Sequence, residues 1–185
     1  MLGLFAAFGL AAATGLNAYL PLLIVGLLAK FTDLIALKAP WSALTNPFVL
    51  VVIAVLLLIE MTVDKIPAVD TVNDVIQTLF RPAAGAVLFA ASGNVIGNVS
   101  PVLAMICGLL IAGGVHTAKA VSRPAVTTST LGTANPVVSL AEDAVSGVTT
   151  FVAIVAPILI LGIVLLVAVW LVRRRKKRAG STRTG

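Results

Sequence analysis

The chain has 185 residues, of which 59% are apolar and only 11% charged, with a mean hydropathy of +1.12. Soluble domains average about 25% charged residues, so the composition excludes a soluble fold clothed in polar surface and predicts an integral-membrane domain over 1–172. The net charge of +6 belongs to the end of the chain: seven of the thirteen basic residues (Arg173, Arg174, Arg175, Lys176, Lys177, Arg178 and Arg183) lie in a tail without a single acid, and residues 1–172 carry six bases against seven acids.

In chain order, the first apolar segment runs from about Leu2 to Leu28 and is interrupted by Gly15, Asn17 and Pro21. It has no basic leader and runs on into further apolar sequence, so it reads as a retained segment and not a cleaved signal peptide. Its length suits one tilted or broken helix better than two spans. The loop that follows carries Trp41, an interfacial anchor. A second span is predicted over 47–63, with Glu60 near its end, and then the most charged stretch of the body, 64–82. Within it Asp70, Asp74, Gln77 and Arg81 recur at i, i+4, i+7 and i+11, within about 60° of one another on a helix. Pro67 can open that helix and Pro82 is expected to end it. It lies either on the membrane surface with its polar face to water or inside the protein with its carboxylates lining a cavity.

A short third segment, 83–96, is separated by Asn98, Ser100 and Pro101 from a fourth, 102–115, which ends at His116. His116, Lys119 and Arg123 share one helical face at i, i+3 and i+7, and Arg123-Pro124 echoes Arg81-Pro82. The Thr/Ser run 127–130 with Gly132 reads as a flexible loop. Asn135-Pro136 reads as an N-cap with proline in the first turn; Asn135, Ser139, Glu142 and Ser146 then share a face with Asp143 beside them, while Ser139 and Glu142 can alternatively form a capping box. A terminal span is expected over 151–172, closed by the basic run and a disordered cytoplasmic tail, 173–185.

The sequence thus predicts an all-α polytopic bundle of about five spans, with two short amphipathic or re-entrant segments (68–81 and 135–146). The N-terminus lies outside and the C-terminus in the cytoplasm, in the cell membrane. Splitting the first segment into a hairpin would move the N-terminus to the other side. Broken apolar segments at matching places, Asn17 to Pro21 and Asn98 to Pro101, suggest an internal repeat of the kind that builds transporter sites.

For chemistry, Glu60 is the deepest acid and pairs at i+4 with Asp64, beside Lys65. An ionisable group within a span is costly unless paired or wetted, and is a functional candidate by default. From Glu60 to Asp143 six acids face four fixed bases and His116, which leans toward a cationic partner or proton traffic. The candidate polar site comprises Glu60, Asp64, Lys65, Asp70, Asp74, Arg81, His116, Lys119, Arg123, Asn135, Ser139, Glu142 and Asp143. No catalytic or phosphate-binding signature and no cofactor motif is present, and the metal question is open. Cys107 is alone, which argues against a disulfide framework or zinc site, and the basic tail carries no nucleic-acid signature.

The combination Gly15-Leu-Asn17-Ala-Tyr19-Leu-Pro21, Glu60, Asp64-Lys65-Ile-Pro67-x-x-Asp70-x-x-x-Asp74 and Arg81-Pro82-x-x-Gly85-Ala resembles the integral-membrane family catalogued as domain of unknown function 4126. So does its continuation, His116-x-x-Lys119-x-x-x-Arg123, Asn135-Pro136 and Ser139-x-x-Glu142-Asp143. The resemblance implies a small multi-spanning protein and brings no established activity. The expectation is a non-enzymatic small transporter or channel for a small cation or proton-coupled solute, embedded in the lipid bilayer and self-associating. The alternatives are a membrane scaffold or assembly factor and, third, an enzyme acting on lipid headgroups through His116, Lys119 and Arg123.

Overall fold

The computed structural model describes residues 2–64, 67–92 and 99–157, together with Leu159, Gly162, Leu166, Val167 and Trp170; side chains are described for all of these except Leu2, 67–72 and Asp74. Among the described residues the fold is all-helical. The helices are α1 (Leu2–Leu16), α2 (Tyr19–Phe31), α3 (Pro47–Val63), α4 (Pro67–Ala91), α5 (Pro101–Thr130) and α6 (Asn135–Val155), with a 3-10 turn at Trp41–Thr45 before α3. Lys65, Asn98 and the basic tail 173–185 lie outside the described residues.

The first apolar segment breaks at Asn17 and Ala18 and turns back on itself. α1 descends past α4 with Gly15 against α5 and Leu10 beside Leu88, while α2 returns with Val25 in the same cluster as Leu10, Leu88 and Ala153. Gly3 at one end and Leu34 to Leu37 at the other line one apolar cavity of about 230 Å³. The two arms are therefore a hairpin whose ends share one end of the bundle and whose tip lies inside it. Pro21 sits in the first turn of α2, where its missing N–H costs nothing. Pro101 likewise opens α5.

Three expected boundaries are absent. The segment 68–81 does not end at Pro82 but runs on through it, so that it and the third apolar segment form a single 25-residue helix. The fourth segment does not end at His116 but continues through Pro124 to Thr130, 30 residues in all. Each proline forfeits one backbone hydrogen bond, yet the arginine before it is pinned by buried partners, and that tertiary anchoring outweighs the local preference. The Thr/Ser run 127–130 is accordingly the last turn of α5, where Thr127, Thr128 and Thr130 hydroxyls bond carbonyls three or four residues back. The turn itself is Leu131 and Gly132, both with positive φ. Finally, 135–146 is the first half of α6, which ends at Val155 where Pro157 interrupts the ladder, so the terminal apolar run is not one uninterrupted helix.

Each long helix buries a stripe that changes character along its length. On α5 it reads Ala104, Gly108, Ala112, His116, Lys119, Arg123; on α3 it reads Leu50, Ile53, Leu57, Glu60. Small residues at one end let backbones approach: a Cβ at Gly85 or Gly108 would fall closer than 3.0 Å to the facing helix, as would one at Gly15. The outer surface is the reverse. Leu79 is 72% exposed whereas Arg81, two residues away, is 0% exposed. α5 and α6 are long and apolar enough to cross a membrane, and most of that length is not buried.

Gly108→Leu should overpack the α4/α5 contact and cost at least about 1–3 kcal/mol, whereas Gly114→Leu, where a Cβ meets open space, should leave the melting temperature of the detergent-solubilised protein nearly unchanged.

Candidate polar site at the hairpin tip

A break inside a packed bundle leaves the last carbonyls of one helix and the first N–H groups of the next without intrahelical partners. Here ionisable side chains take both. At the end of α1, the Lys119 ammonium donates to the Leu16 carbonyl (3.2 Å) and the Ser146 hydroxyl to that of Ala13 (2.9 Å). At the start of α2, the Ala18 N–H donates to Glu60 Oε1 (3.4 Å), and Asn17 Oδ1 accepts from the N–H groups of Tyr19 and Leu20. Asn17 thus caps α2, and its amide nitrogen donates to Asp143 Oδ1 (2.9 Å).

From this tip the charges alternate. Arg81 donates through Nε (3.2 Å) and Nη2 (3.0 Å) to Glu60 Oε1, and Nη2 also reaches Asp64 Oδ2 (3.4 Å). Asp64 Oδ2 accepts from Lys119 (3.1 Å), its Oδ1 from Asn73 (2.6 Å), and its main-chain carbonyl from Arg123 Nη1 (3.4 Å). Lys119 also pairs with Glu142 (3.1 Å), which Arg123 grips with both Nε and Nη2. Glu60, Asp64, Arg81, Lys119 and Arg123 are all buried, and Glu142 is 16% exposed at the edge. A guanidinium can only donate, so the contact of Arg81 Nη1 with His116 Nδ1 (3.0 Å) makes Nδ1 an acceptor. The ring proton is then on Nε2, which faces the Thr78 hydroxyl at 3.1 Å.

Of the residues expected at the site, Glu60, Asp64, Arg81, His116, Lys119, Arg123 and Glu142 meet in one network, and Asp143 joins it through Asn17. Asp70 and Asp74 lie in the first turns of α4, and their side chains, like all of Lys65, are outside the described residues. The 64–82 face turns inward: Asn73, Gln77 and Arg81 are buried, while Val75, Ile76, Leu79 and Phe80 are exposed. Two local readings are corrected. Asn135 is the first residue of α6 and not its cap, and its buried amide bonds the Thr127 hydroxyl. Ser139 is a buried mid-helix residue, so it forms no capping box with Glu142. Sequence reasoning left out Tyr19, Asn73 and Thr150 and took Asn17 only as a helix breaker; the spacing of Asn135, Ser139, Asp143, Ser146 and Thr150 along one buried face of α6 was the available signal for Thr150. Among the described residues no group of His, Cys, Asp and Glu is arranged to hold a metal ion.

Among the described residues, fold and site together define a helical protein whose first apolar segment is broken, folded back and sealed by a buried ionic network. The chain belongs to the family described as Domain of unknown function (DUF4126), whose model matches residues 4–177. No curated protein and no solved structure matches the chain.

Burial opposes the ionisation of Asp64, but Lys119 and Arg81 together, aided by the donors of Lys119 and Asn73, hold its carboxyl below the usual carboxylate range. A carboxyl with a depressed folded pKa stabilises the fold above its unfolded value, about 3.9, and that contribution disappears as pH falls through the folded value. The stability gap between wild type and Asp64→Asn, followed by thermal unfolding, should therefore be widest near neutrality and narrow on acidification below that range. Arg81→Met leaves the buried Glu60 carboxylate without the cation that pairs with it and should cost about 3–5 kcal/mol, while the double variant Glu60→Gln/Arg81→Met should lose less than the sum of the two single changes.

Proposed function

We propose that the protein is a multi-pass cell-membrane transporter or channel for a small cation or a proton-coupled solute, non-enzymatic and self-associating, in which the hairpin tip is the moving part. The observation that carries this reading is the clamping of a discontinuous helix by ionisable side chains, Lys119 on the end of α1 and Glu60 on the start of α2. In hydrocarbon an interrupted backbone is tolerated only where it is buried in protein or lines a cavity, and helix ends that meet near the midplane are where transporters place their sites. At 15 and 13 residues, α1 and α2 are about 22 and 20 Å long, too short for a core of about 30 Å. On this reading they form a re-entrant pair beside four crossing helices, α3 to α6, in place of five spans. Lys30, Lys38 and the basic run 173–178 then put the loop before α3 and the C-terminus in the cytoplasm, with the hairpin's two ends on that side too. Four crossing helices make a thin wall, hence self-association.

One observation favours a second reading, a membrane scaffold or assembly factor: Arg81, Lys119 and Arg123 each meet at least one carboxylate, as a static bundle requires. The two readings separate in proteoliposomes. Under an imposed ion or proton gradient, the transport reading expects flux from the wild type that falls at least tenfold in Glu60→Gln, and the scaffold reading expects no flux from either. In a Cys107→Ala background, Ser42→Cys and Thr133→Cys should react with an impermeant maleimide from opposite faces of the membrane, and labelling of both from one face would remove the proposed topology.

A further inference from the structure

Glu60 uses only one of its two carboxylate oxygens. Oε1 accepts from Arg81 and from the Ala18 N–H, whereas Oε2 is buried without a hydrogen-bond partner among the described residues, and so is Gln77 Oε1. Glu60 is 1% exposed and Gln77 2%. Two links bring the groups to the same part of the bundle: Gln77 precedes Arg81 by one turn on the inward face of α4 and Arg81 is bonded to Glu60, while Tyr19 interacts with both Glu60 and Gln77. A buried acceptor without a donor destabilises the fold, because it has given up its water without a replacement. A single proton relieves both, because a carboxylic acid protonated on Oε2 becomes a donor and Gln77 Oε1 is an acceptor without one, while Oε1 keeps its bonds to Arg81 and Ala18.

The charges point the same way. The groups facing Glu60 are Arg81 from α4, Lys119 from α5, Asp64 at the end of its own helix, and Tyr19 from α2, with His116 reaching it through Arg81. Arg81 is shared between Glu60 and Asp64, so a proton on Glu60 leaves Arg81 its second carboxylate.

We infer that the coupling ion of this site is the proton, bound at Oε2 of Glu60 and held by the side-chain carbonyl of Gln77, which acts as a positioning residue. The inference rests on the transport reading for its purpose but not for its test. Binding the proton makes an O–H bond on Oε2 and a hydrogen bond to Gln77, and discharges the carboxylate that attracts Arg81 and the Ala18 N–H; the grip on the start of α2 is thereby weakened.

The test is infrared difference spectroscopy of the full-length protein in lipid, titrated with pH in H₂O and D₂O. The wild type should show a protonated-carboxyl C=O band that shifts on deuteration and comes and goes with pH; Glu60→Gln should lack it, and Gln77→Met should move it to higher frequency by removing its acceptor. Gln77→Asn, which keeps a carbonyl on a shorter stem, tells loss of the acceptor from loss of packing: a partial return toward the wild-type frequency is expected. A carboxyl band that survives in Glu60→Gln, or one indifferent to both Gln77 variants, overturns the assignment. If the band behaves as expected and proteoliposomes show no flux, the proton site stands and the transport reading falls; flux without the band has the opposite consequence.

Discussion

The structure depends on a backbone that stops in the middle of an apolar bundle. At Asn17 and Ala18 the first helix gives up its hydrogen-bond ladder where no solvent is at hand, and the freed groups are met by the Lys119 ammonium on one side and the Glu60 carboxylate on the other. Neither charge could sit there alone. Lys119 is held by Asp64 and Glu142, Glu60 by Arg81, and Arg81 by its contacts with Asp64 and His116. The hairpin and the ionic network are one construction: the break needs charges to seal it, and the charges need the break's dipoles and each other to remain buried.

That construction explains why the bundle is small-sided at one end and charged at the other. Where α1, α4 and α5 touch through Gly15, Gly85, Gly108 and Ala112, the helices come close enough to leave no room for solvent. One or two turns further along, the same stripes carry Arg81, His116, Lys119 and Arg123. Close packing supplies the rigid frame, and the ionic end supplies groups whose charge state can change. A carboxylate that both clamps a helix start and has an oxygen to spare is suited to couple protonation to movement of that helix, which is the physical content of the proposed function.

Much of this was legible in residue order. The helical, apolar character of the chain followed from its mean hydropathy and its long apolar runs. The shared faces of His116, Lys119 and Arg123 and of Asn135, Ser139 and Ser146 followed from helical spacing, and both faces are buried. Asn17 was identifiable as a break because a polar, turn-forming residue interrupts an otherwise apolar run. The errors came from local rules that tertiary contacts override. Pro82 read as a helix end and His116 as the end of the fourth segment, but Arg81 and Arg123 are anchored in the network and the helices run on through Pro82 and Pro124. Ser139 read as a cap because its neighbourhood fits the pattern, although the chain had already been helical for a turn.

The sequence by itself determined that the protein is helical, apolar and interrupted near Asn17, and on which helical faces its charges lie, since composition and the 3.6-residue period depend only on order along the chain. Only the tertiary structure decided that α1 and α2 fold back as a hairpin, that Glu60 and Lys119 grasp its two broken ends, and that Gln77 is buried on the face of α4 that carries Arg81. Those facts are distances between residues far apart in the chain, as are the bonds of Asn17 to Asp143 and of Ser146 to Ala13, 126 and 133 positions apart; no local pattern encodes them, because they arise from which helix faces pack together.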